Sequence, residues 1–193
     1  MDFQQTLENE WGYLSDGIKS ASHPFHHFVL SNSINNSPDS RIVILRTINK
    51  QKRFIGFNTD KRSPKYNALL NNKNVSALFY DQKRKIQLRI KGNANVADGK
   101  KIQSLWDNMA LESRLCYMGK FEPSSVIELY EPNMPSQKIT EISDEEYALG
   151  FKNFIHFKIE IDSIDWLYLH SSGHKRVRYK WDNKKFSASW LAT

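Results

Sequence analysis

A group of basic and polar side chains between residues 41 and 65 has the composition of a phosphate site. Its members are Arg41, Arg46, Asn58, Thr59, Ser63 and Lys65. Ser63 followed by proline is typical of a helix start, where free N–H groups and a partial positive charge attract anions. Hydrogen bonds from charged side chains contribute about 1.5–3 kcal/mol each, so three or four approach the ~8 kcal/mol of a micromolar ligand. The group therefore predicts a phosphorylated ligand, although an ordinary core strand with solvated ends also explains the two arginines alone.

Two further sets of side chains suit the rest of such a ligand. Gln87 stands in a strand, and its amide offers a donor and an acceptor to the edge of a heterocycle, although an isolated glutamine is more often a surface residue. Alternation places His174, Arg176 and Arg178 on one strand face. Because unpaired buried cations are too costly, these three face either solvent or an anion.

The elements that must position these residues are mainly strands. Apolar residues three and four apart predict a helix over 2–18, outside the rest of the fold. Further helices are predicted from Ser63, from Asp98 to Glu112 and from Ser143, and 31–40 reads as a mobile loop. Strands are predicted over 25–30, 41–47, 54–58, 75–80, 86–94, 154–161, 164–169, 175–181 and 186–190. Short antiparallel strands with peripheral helices indicate a closed or nearly closed β-barrel.

Composition bounds the class of protein. The 193 residues suit a single domain, 1–193, and the net charge of +7 favours anionic partners. The single cysteine, Cys116, excludes an internal disulfide framework, and neither it nor the histidines have companions at metal-ligand spacing, so no metal is expected. No apolar run reaches the length of a membrane helix and no signal peptide is recognisable, so the expected location is the cytoplasm.

The order of these motifs resembles a known family. Gly56-Phe57-Asn58-Thr59-Asp60, Ser63-Pro64-Lys65, Gln87-Leu88-Arg89-Ile90-Lys91-Gly92 and His174-Lys175-Arg176-Val177-Arg178 follow Arg41 and Arg46 as in the pyridoxamine 5'-phosphate oxidase-like split barrels. The similarity is to the oxidase-related branch and runs from about residue 25 to the C-terminus. It implies an FMN-binding split β-barrel, a homodimer with FMN at the interface and an oxidoreductase acting on a small molecule.

The resemblance also implies roles for individual residues. Arg41 and Lys65 grip the FMN phosphate with Thr59 and Ser63, and Gln87 and Arg178 approach the flavin ring. The remaining implied cofactor contacts are Ile42, Val43, Ile44, Arg46, Asn58 and Trp166, with Tyr168 as the alternative to Trp166. The implied substrate contacts are Arg46, Ser113, His174 and Arg176. No catalytic residue is assigned.

The substrate site departs from the oxidase pattern. The family's tyrosine, arginine and serine for the substrate phosphate become Leu105, Met109 and Ser113. Pro64 stands where the family has a phosphate arginine, and the types at 174 and 176 are exchanged. The sequence therefore predicts a flavoprotein that oxidises pyridoxamine phosphate poorly.

Two other functions compete with this interpretation. A basic barrel with exposed aromatic residues could bind single-stranded nucleic acid, but many of the lysines lie scattered in turns. The same fold could instead hold haem or a deazaflavin. The phosphate-binding types at 41, 63 and 65 favour a phosphorylated cofactor over haem.

Overall fold

The computed structural model describes residues 1–135, 142–182 and 185–193, and the fold is mainly antiparallel β with peripheral helices. The helices are α1 (Phe3–Lys19), α2 (Pro64–Asn71), α3 (Gly99–Asp107), α4 (Leu111–Arg114) and α5 (Asp144–Asn153). The strands are β1 (His27–Ile34), β2 (Ser37–Ile44), β3 (Thr47–Asn49), β4 (Phe54–Asp60), β5 (Asn74–Asp81), β6 (Ile86–Val96), β7 (Phe154–Tyr168), β8 (Lys175–Asp182) and β9 (Lys185–Trp190). The predicted class of fold is confirmed.

One sheet contains all of these strands, in the order β2-β1-β5-β6-β7-β4-β3, with β8 and β9 attached to β7. β7 is the centre of the fold because it pairs with β4, β6 and β8. Its 15 residues are continuous, whereas the sequence suggested two strands. The break in pattern is a β-bulge: Lys91 pairs with Ser163 but Gly92 with Ile161. In the sequence, this shift of register therefore looks like the end of one strand and the start of another.

The N-terminal helix, α1, packs against the core of the sheet. Asp2 caps α1 by accepting hydrogen bonds from the first backbone N–H groups, and Leu7, Trp11 and Leu14 are buried against the core. Glu10, also buried, forms a salt bridge with Arg84 from the β5–β6 turn. No helix in the described part of the chain, α1 included, is long and apolar enough to cross a membrane.

The segment 31–40, expected to be a mobile loop, instead forms most of the β1–β2 hairpin. Ser31 pairs with Ser40, and the pairing continues to Ile34 and Ser37. Asn35 and Asn36 make the turn, with φ values of 51° and 62°. Two consecutive residues with positive φ are the requirement of a tight type I′ hairpin turn, which asparagine tolerates better than most residues. The polar composition of this segment was therefore misread as irregular structure.

The helix predicted from Asp98 to Glu112 is shorter in the structure. Asp98 is the N-cap of α3, as its position suggests, but α3 ends at Asp107. Its C-cap, Asn108, bonds through its side-chain amide to the Ser104 carbonyl oxygen, 2.7 Å away, so the amide takes up one of the carbonyls at the helix end. A separate single turn, α4, then carries Ser113.

Candidate functional site

The structure gathers most of the predicted phosphate group around one cavity of about 250 Å³. It lies between β2, the end of β4, the start of α2 and the short 3-10 helix Leu115–Tyr117. The lining residues are Arg41, Ile42, Val43, Ile44, Arg46, Asn58, Thr59, Lys65 and Tyr117. Eight of these nine were expected at the site from the sequence, and they come from segments up to 24 positions apart.

Local backbone bonds bring the walls of this cavity together. The Arg46 N–H donates to the Gly56 carbonyl oxygen at 2.8 Å, which holds the end of β2 beside β4. Ser63 is the N-cap of α2 by position, but its hydroxyl donates to the Asp60 carbonyl oxygen at 2.7 Å rather than capping the helix. Ser63 therefore fixes the tight connection from β4 to α2, and its Oγ lies 3.4 Å from the Thr59 hydroxyl at the cavity wall.

The charge balance of the cavity is strongly positive. Arg41, Arg46 and Lys65 line it, and Asp39 is the carboxylate that pairs with Arg41. Lys65 has no ion-pair partner among the described residues. Burial lowers the pKa of the Lys65 ammonium, and the nearby Arg41 cation lowers it further. A half-buried ammonium beside a second cation is stabilised when an anion enters, so the donor set fits a phosphate group.

Arg41 is held in place by its neighbours on the β1–β2 hairpin. Its guanidinium group hydrogen-bonds to the side chains of Asn32 and Asp39 and contacts the Leu30 carbonyl oxygen. Asn32 is 7% exposed, so its amide serves this contact rather than solvation. Because these contacts already fix the Arg41 side chain, it loses less conformational entropy when an anion binds. Neither Asn32 nor Asp39 was singled out in the sequence, because the hairpin register that opposes them to Arg41 was not foreseen.

Tyr117 also lines the cavity and was missed in the sequence analysis. Burial raises the pKa of its hydroxyl well above the usual range, although the Arg46 cation works in the opposite direction. The residue lies in a segment without helical or strand periodicity, so nothing in the sequence connects it to β2. Its hydroxyl stays protonated at neutral pH and is therefore able to donate a hydrogen bond.

Arg62 does not replace the phosphate arginine that Pro64 removes. Its guanidinium forms a salt bridge with Asp60 at 2.7 Å and donates to the Gly119 carbonyl oxygen, also at 2.7 Å. These bonds tie the β4–α2 connection to the segment that carries Tyr117. Arg62 therefore helps to build the wall of the cavity instead of lining it.

The outer edge of β2 is open beside the cavity. β2 pairs with β1 on one side and with no other strand in the described ranges. Backbone groups of successive residues point to opposite sides of a strand, so Ile42 and Ile44 expose N–H and C=O groups along that edge, while Val43 pairs with Phe28 of β1. A planar ligand with polar atoms on its rim can bond to such an edge while its phosphate lies among the basic side chains.

Gln87, Arg176 and Arg178 lie on the outer face of the sheet, away from this cavity. Gln87 is opposite Tyr80, and Arg178 is opposite Asp165. Asp165 is 8% exposed and accepts hydrogen bonds from Arg176 at 2.9–3.0 Å and from Arg89 at 2.8 Å. The anion that Arg176 faces is therefore the Asp165 carboxylate of the same chain. Arg178, in contrast, is exposed and has no ion-pair partner within the described ranges.

Three other predicted residues lie apart from the cavity. Trp166 points inward beneath α1, where its indole N–H donates to Glu10 at 3.1 Å. His174 lies in the turn before β8 and accepts a hydrogen bond from the His170 N–H. Ser113 lies in α4. None of these three lines the cavity, and of the four residues expected to contact substrate, Arg46, Ser113, His174 and Arg176, only Arg46 does.

Comparison with known sequences gives a family match over residues 6–98, to the family described as pyridoxamine 5'-phosphate oxidase, FMN-binding domain. That range contains eight of the nine residues that line the cavity. No curated protein matches the chain.

Comparison with solved structures gives matches over almost the whole chain. A pyridoxamine 5'-phosphate oxidase-related, FMN-binding protein from Nostoc punctiforme has 18% identity, a TM-score of 0.73 and 96% coverage of both chains. PhzG from Burkholderia lata, solved with tetrahydrophenazine-1-carboxylic acid, has 17% identity and a TM-score of 0.70, over 98% of this chain and 92% of that one. General Stress Protein 26 from Bacillus anthracis has 18% identity and a TM-score of 0.51, over 82% and 93%. At these identities the likeness shows the fold.

Proposed function

Because residues 6–98 match the FMN-binding domain of the pyridoxamine 5'-phosphate oxidase family, whose split-barrel fold the whole chain shares, we propose that this protein is a flavoprotein that binds FMN. The observation that carries the proposal is the cavity between β2, β4 and α2. It holds three basic side chains, one of them a half-buried lysine without an acidic partner among the described residues. A phosphate dianion supplies the charge that this set lacks.

Different residues of the cavity bind different parts of the cofactor. Arg41 and Lys65 bind the phosphate oxygens, with the Thr59 hydroxyl and the Asn58 amide as neutral donors. The polar rim of the ring pairs with the open edge of β2 at residues 42–44. When bound, FMN supplies reversible redox chemistry, and the protein contributes position, shielding from water and positive charge. Arg46 stabilises negative charge at this site.

The positions of Gln87 and Arg178 support a homodimer. Along the outer face, Ile42 and Arg178 are five strand spacings apart, about 24 Å, and Ile44 and Gln87 are three apart, about 14 Å. By the other route, the strand partners of Asn58 and Arg178 lie nine residues apart on β7, about 30 Å. Because both paths along the sheet are long, we propose that a second copy supplies Arg178 to a ring held at β2.

The substrate is proposed to be a small molecule other than pyridoxamine phosphate. Leu105 and Met109, at the positions of two family phosphate ligands, pack against the apolar cluster around Trp106. They offer no donor to a substrate phosphate. The reaction class is the oxidation or reduction of a small organic compound by the bound flavin, with Arg46 as the basic side chain beside it.

The test is FMN titration of the purified apo protein, followed by mixing of two variants. We expect saturable binding with a flavin absorption spectrum, and weaker binding in both Lys65→Ala and Arg178→Ala. Refolding the two variants together should restore binding to some heterodimers, because one of their two sites then contains neither substitution. A protein that ignores FMN but binds haem, a deazaflavin or single-stranded nucleic acid would overturn the proposal. If the wild-type protein binds FMN but mixing the two variants does not restore binding, the cofactor assignment stands and the site shared between two copies is rejected.

A further inference from the structure

We propose that a second cavity, further along β4, binds a small aromatic phosphate and is connected to the cofactor cavity by a hydrogen-bonded chain. The second cavity measures about 490 Å³ and lies between β3, β4, β7 and the ends of α1 and α3. Its lining residues are Ile18, Thr47, Ile48, Asn49, Lys52, Phe54, Asp98, Lys101, His156 and Lys158. It shares none of these residues with the cofactor cavity.

A missing side chain makes room for the inner wall of this cavity. Gly56 lies between Thr47 of β3 and Lys158 of β7 in the strand register. A Cβ atom at Gly56 would come within 2.3 Å of the Thr47 hydroxyl and 2.5 Å of His156 Nε2. The imidazole of His156 therefore occupies the space over the glycine. This side chain is 1% exposed, and it is held there by hydrogen bonds rather than by an ion pair.

The bonds of His156 run from one cavity to the other. Its Nδ1 atom lies 2.7 Å from Asn58 Oδ1, and its Nε2 atom lies 2.9 Å from the Thr47 hydroxyl. Because an amide oxygen only accepts, Nδ1 carries the proton, and Nε2 accepts from Thr47. Thr47 lines the second cavity and Asn58 lines the cofactor cavity. The chain Thr47–His156–Asn58 therefore has one defined direction of donation.

The charge of the second cavity selects an anion. Lys52, Lys101 and Lys158 contribute three ammonium groups against one carboxylate, Asp98, which accepts the Lys101 backbone N–H at the start of α3. His156 adds no charge at neutral pH, because burial lowers its pKa to about 4. The net charge of the lining favours a dianionic phosphate over a carboxylate.

The remaining wall is apolar and selects the body of the ligand. Ile18, Ile48 and Phe54 form it, and the Lys158 ammonium lies 5.6 Å from the centre of the Phe54 ring. A ring placed between the two isoleucines and Phe54 leaves its phosphate within reach of the lysines. The chemical class that matches both halves of the cavity is therefore an aryl or heteroaryl phosphate.

The experiment is calorimetric titration of the apo protein with phenyl phosphate, with inorganic phosphate and phenol as probes of each half. We expect phenyl phosphate to bind more tightly than either, and Lys158→Gln to weaken it about tenfold through loss of one charged contact. Lys83→Gln, which removes an exposed charge in the β5–β6 turn, is the matched control. Equal binding by wild type and Lys158→Gln would overturn the site.

A phosphate ester could also enter the cofactor cavity, so Lys65→Ala is titrated with the same probe. Phenyl phosphate binding should persist in Lys65→Ala; its loss there, with retention in Lys158→Gln, would assign the probe to the first cavity and reject the second. The connection rests on the proposed function and is tested separately. Saturating phenyl phosphate should change FMN affinity in wild type but not in His156→Phe, which cannot hydrogen-bond. An unchanged affinity in wild type would reject the connection alone.

Discussion

At the scale of single residues, Lys65 is the most informative side chain in the structure. It is half-buried, adjacent to Arg41, and without an acidic partner in the described ranges, so the unliganded protein holds two neighbouring cations. Native proteins seldom retain such an arrangement without an anion to bind. The repulsion between the Lys65 and Arg41 cations is offset by their attraction to a phosphate that binds beside them.

Lys65→Ala is expected to weaken FMN binding by about 1.5–3 kcal/mol, roughly ten- to 150-fold, because a charged hydrogen bond to phosphate is lost. Quenching of flavin fluorescence during titration measures the affinity. Lys83→Ala, which removes an exposed charge far from the cavity, is the control and should bind normally. A normal affinity in Lys65→Ala would remove this lysine from the phosphate site.

His156 makes the stability of the protein depend on pH. Its pKa is about 4 in the folded protein, against 6.5 for an ordinary histidine, because burial disfavours the charged ring. Between pH 6.5 and 4 the unfolded chain therefore binds more protons at this histidine than the folded protein does. The stability that the neutral His156 ring contributes is fully present above pH 6.5 and is lost as the pH falls through this window. The contribution is about 3 kcal/mol.

Urea unfolding of wild type and His156→Gln at several pH values measures this effect. The difference in unfolding free energy between the two proteins should shrink as pH falls from 6.5 to 4. His27→Gln removes an exposed histidine and should follow the wild-type curve. A pH-independent difference between wild type and His156→Gln would show that burial does not hold this ring neutral.

At the scale of elements, sequence periodicity located helices and strands but not their junctions. The end of β2 from residue 41, β4 and α2 were read correctly, and with them eight of the nine residues that line the cofactor cavity. The hairpin turn at Asn35 and the bulge opposite Gly92 were not, because both depend on backbone geometry rather than on alternation. Tyr117 was missed for a related reason: tertiary packing alone brings it to β2.

Two glycines of α1 give a prediction about how this helix docks. A Cβ atom at Gly17 would lie 2.6 Å from the Phe25 carbonyl oxygen, whereas a Cβ atom at Gly12 would have no neighbouring atom within 4 Å. Gly17→Ala should destabilise the fold by about 1–3 kcal/mol through overpacking against backbone. Gly12→Ala should stabilise it by about 0.5–1 kcal/mol, because alanine is the better helix former. Thermal unfolding distinguishes them, and changes of the same sign would contradict this account of the docking.

At the scale of the whole molecule, the predicted residues fall into two sets that lie apart in the single chain. The set at β2 and α2 lines a cavity, while Gln87 and Arg178 lie across the outer face. The resemblance implied both sets, and the family match and the fold confirm that resemblance. Sequence alone gave no distance between the sets, because strand order in the sheet follows from long-range pairing. Trp166 illustrates the limit: its place in a strand was predicted, but its position beneath α1 was not.

Association of two copies can be tested at Tyr80, which is 47% exposed on the outer face beside Gln87. Tyr80→Asp should shift the protein toward monomer and weaken FMN binding, because a charge must be buried at the interface and the second half of the site is lost. Leu70→Asp, at a residue 45% exposed on α2, is the matched control. Light scattering after size exclusion measures the mass. A dimer that survives Tyr80→Asp but not Leu70→Asp would place the interface elsewhere.

Activity toward pyridoxamine phosphate should be poor in the FMN-loaded protein, since Leu105 and Met109 provide no phosphate contact. Peroxide release with this substrate measures turnover. A rate near that of an ordinary enzyme, about one per second or more, would contradict the altered substrate site. Loss of the basal rate in Arg46→Ala would support a role for that side chain in binding substrate.

The position of β7 along the chain also governs the order in which the protein can fold during synthesis. β7 pairs Lys158 with Gly56 and Trp166 with Leu88, contacts that span 102 and 78 residues. Until a ribosome has released residues 154–168, β4 and β6 present unpaired edges, because β7 is the strand that lies between them. Such non-local pairing is slow, and exposed edges attract other chains. We therefore expect the nascent protein to be a client of a chaperone that shields strand edges. Its yield on expression should rise when translation is slow enough for each strand to pair after it is released.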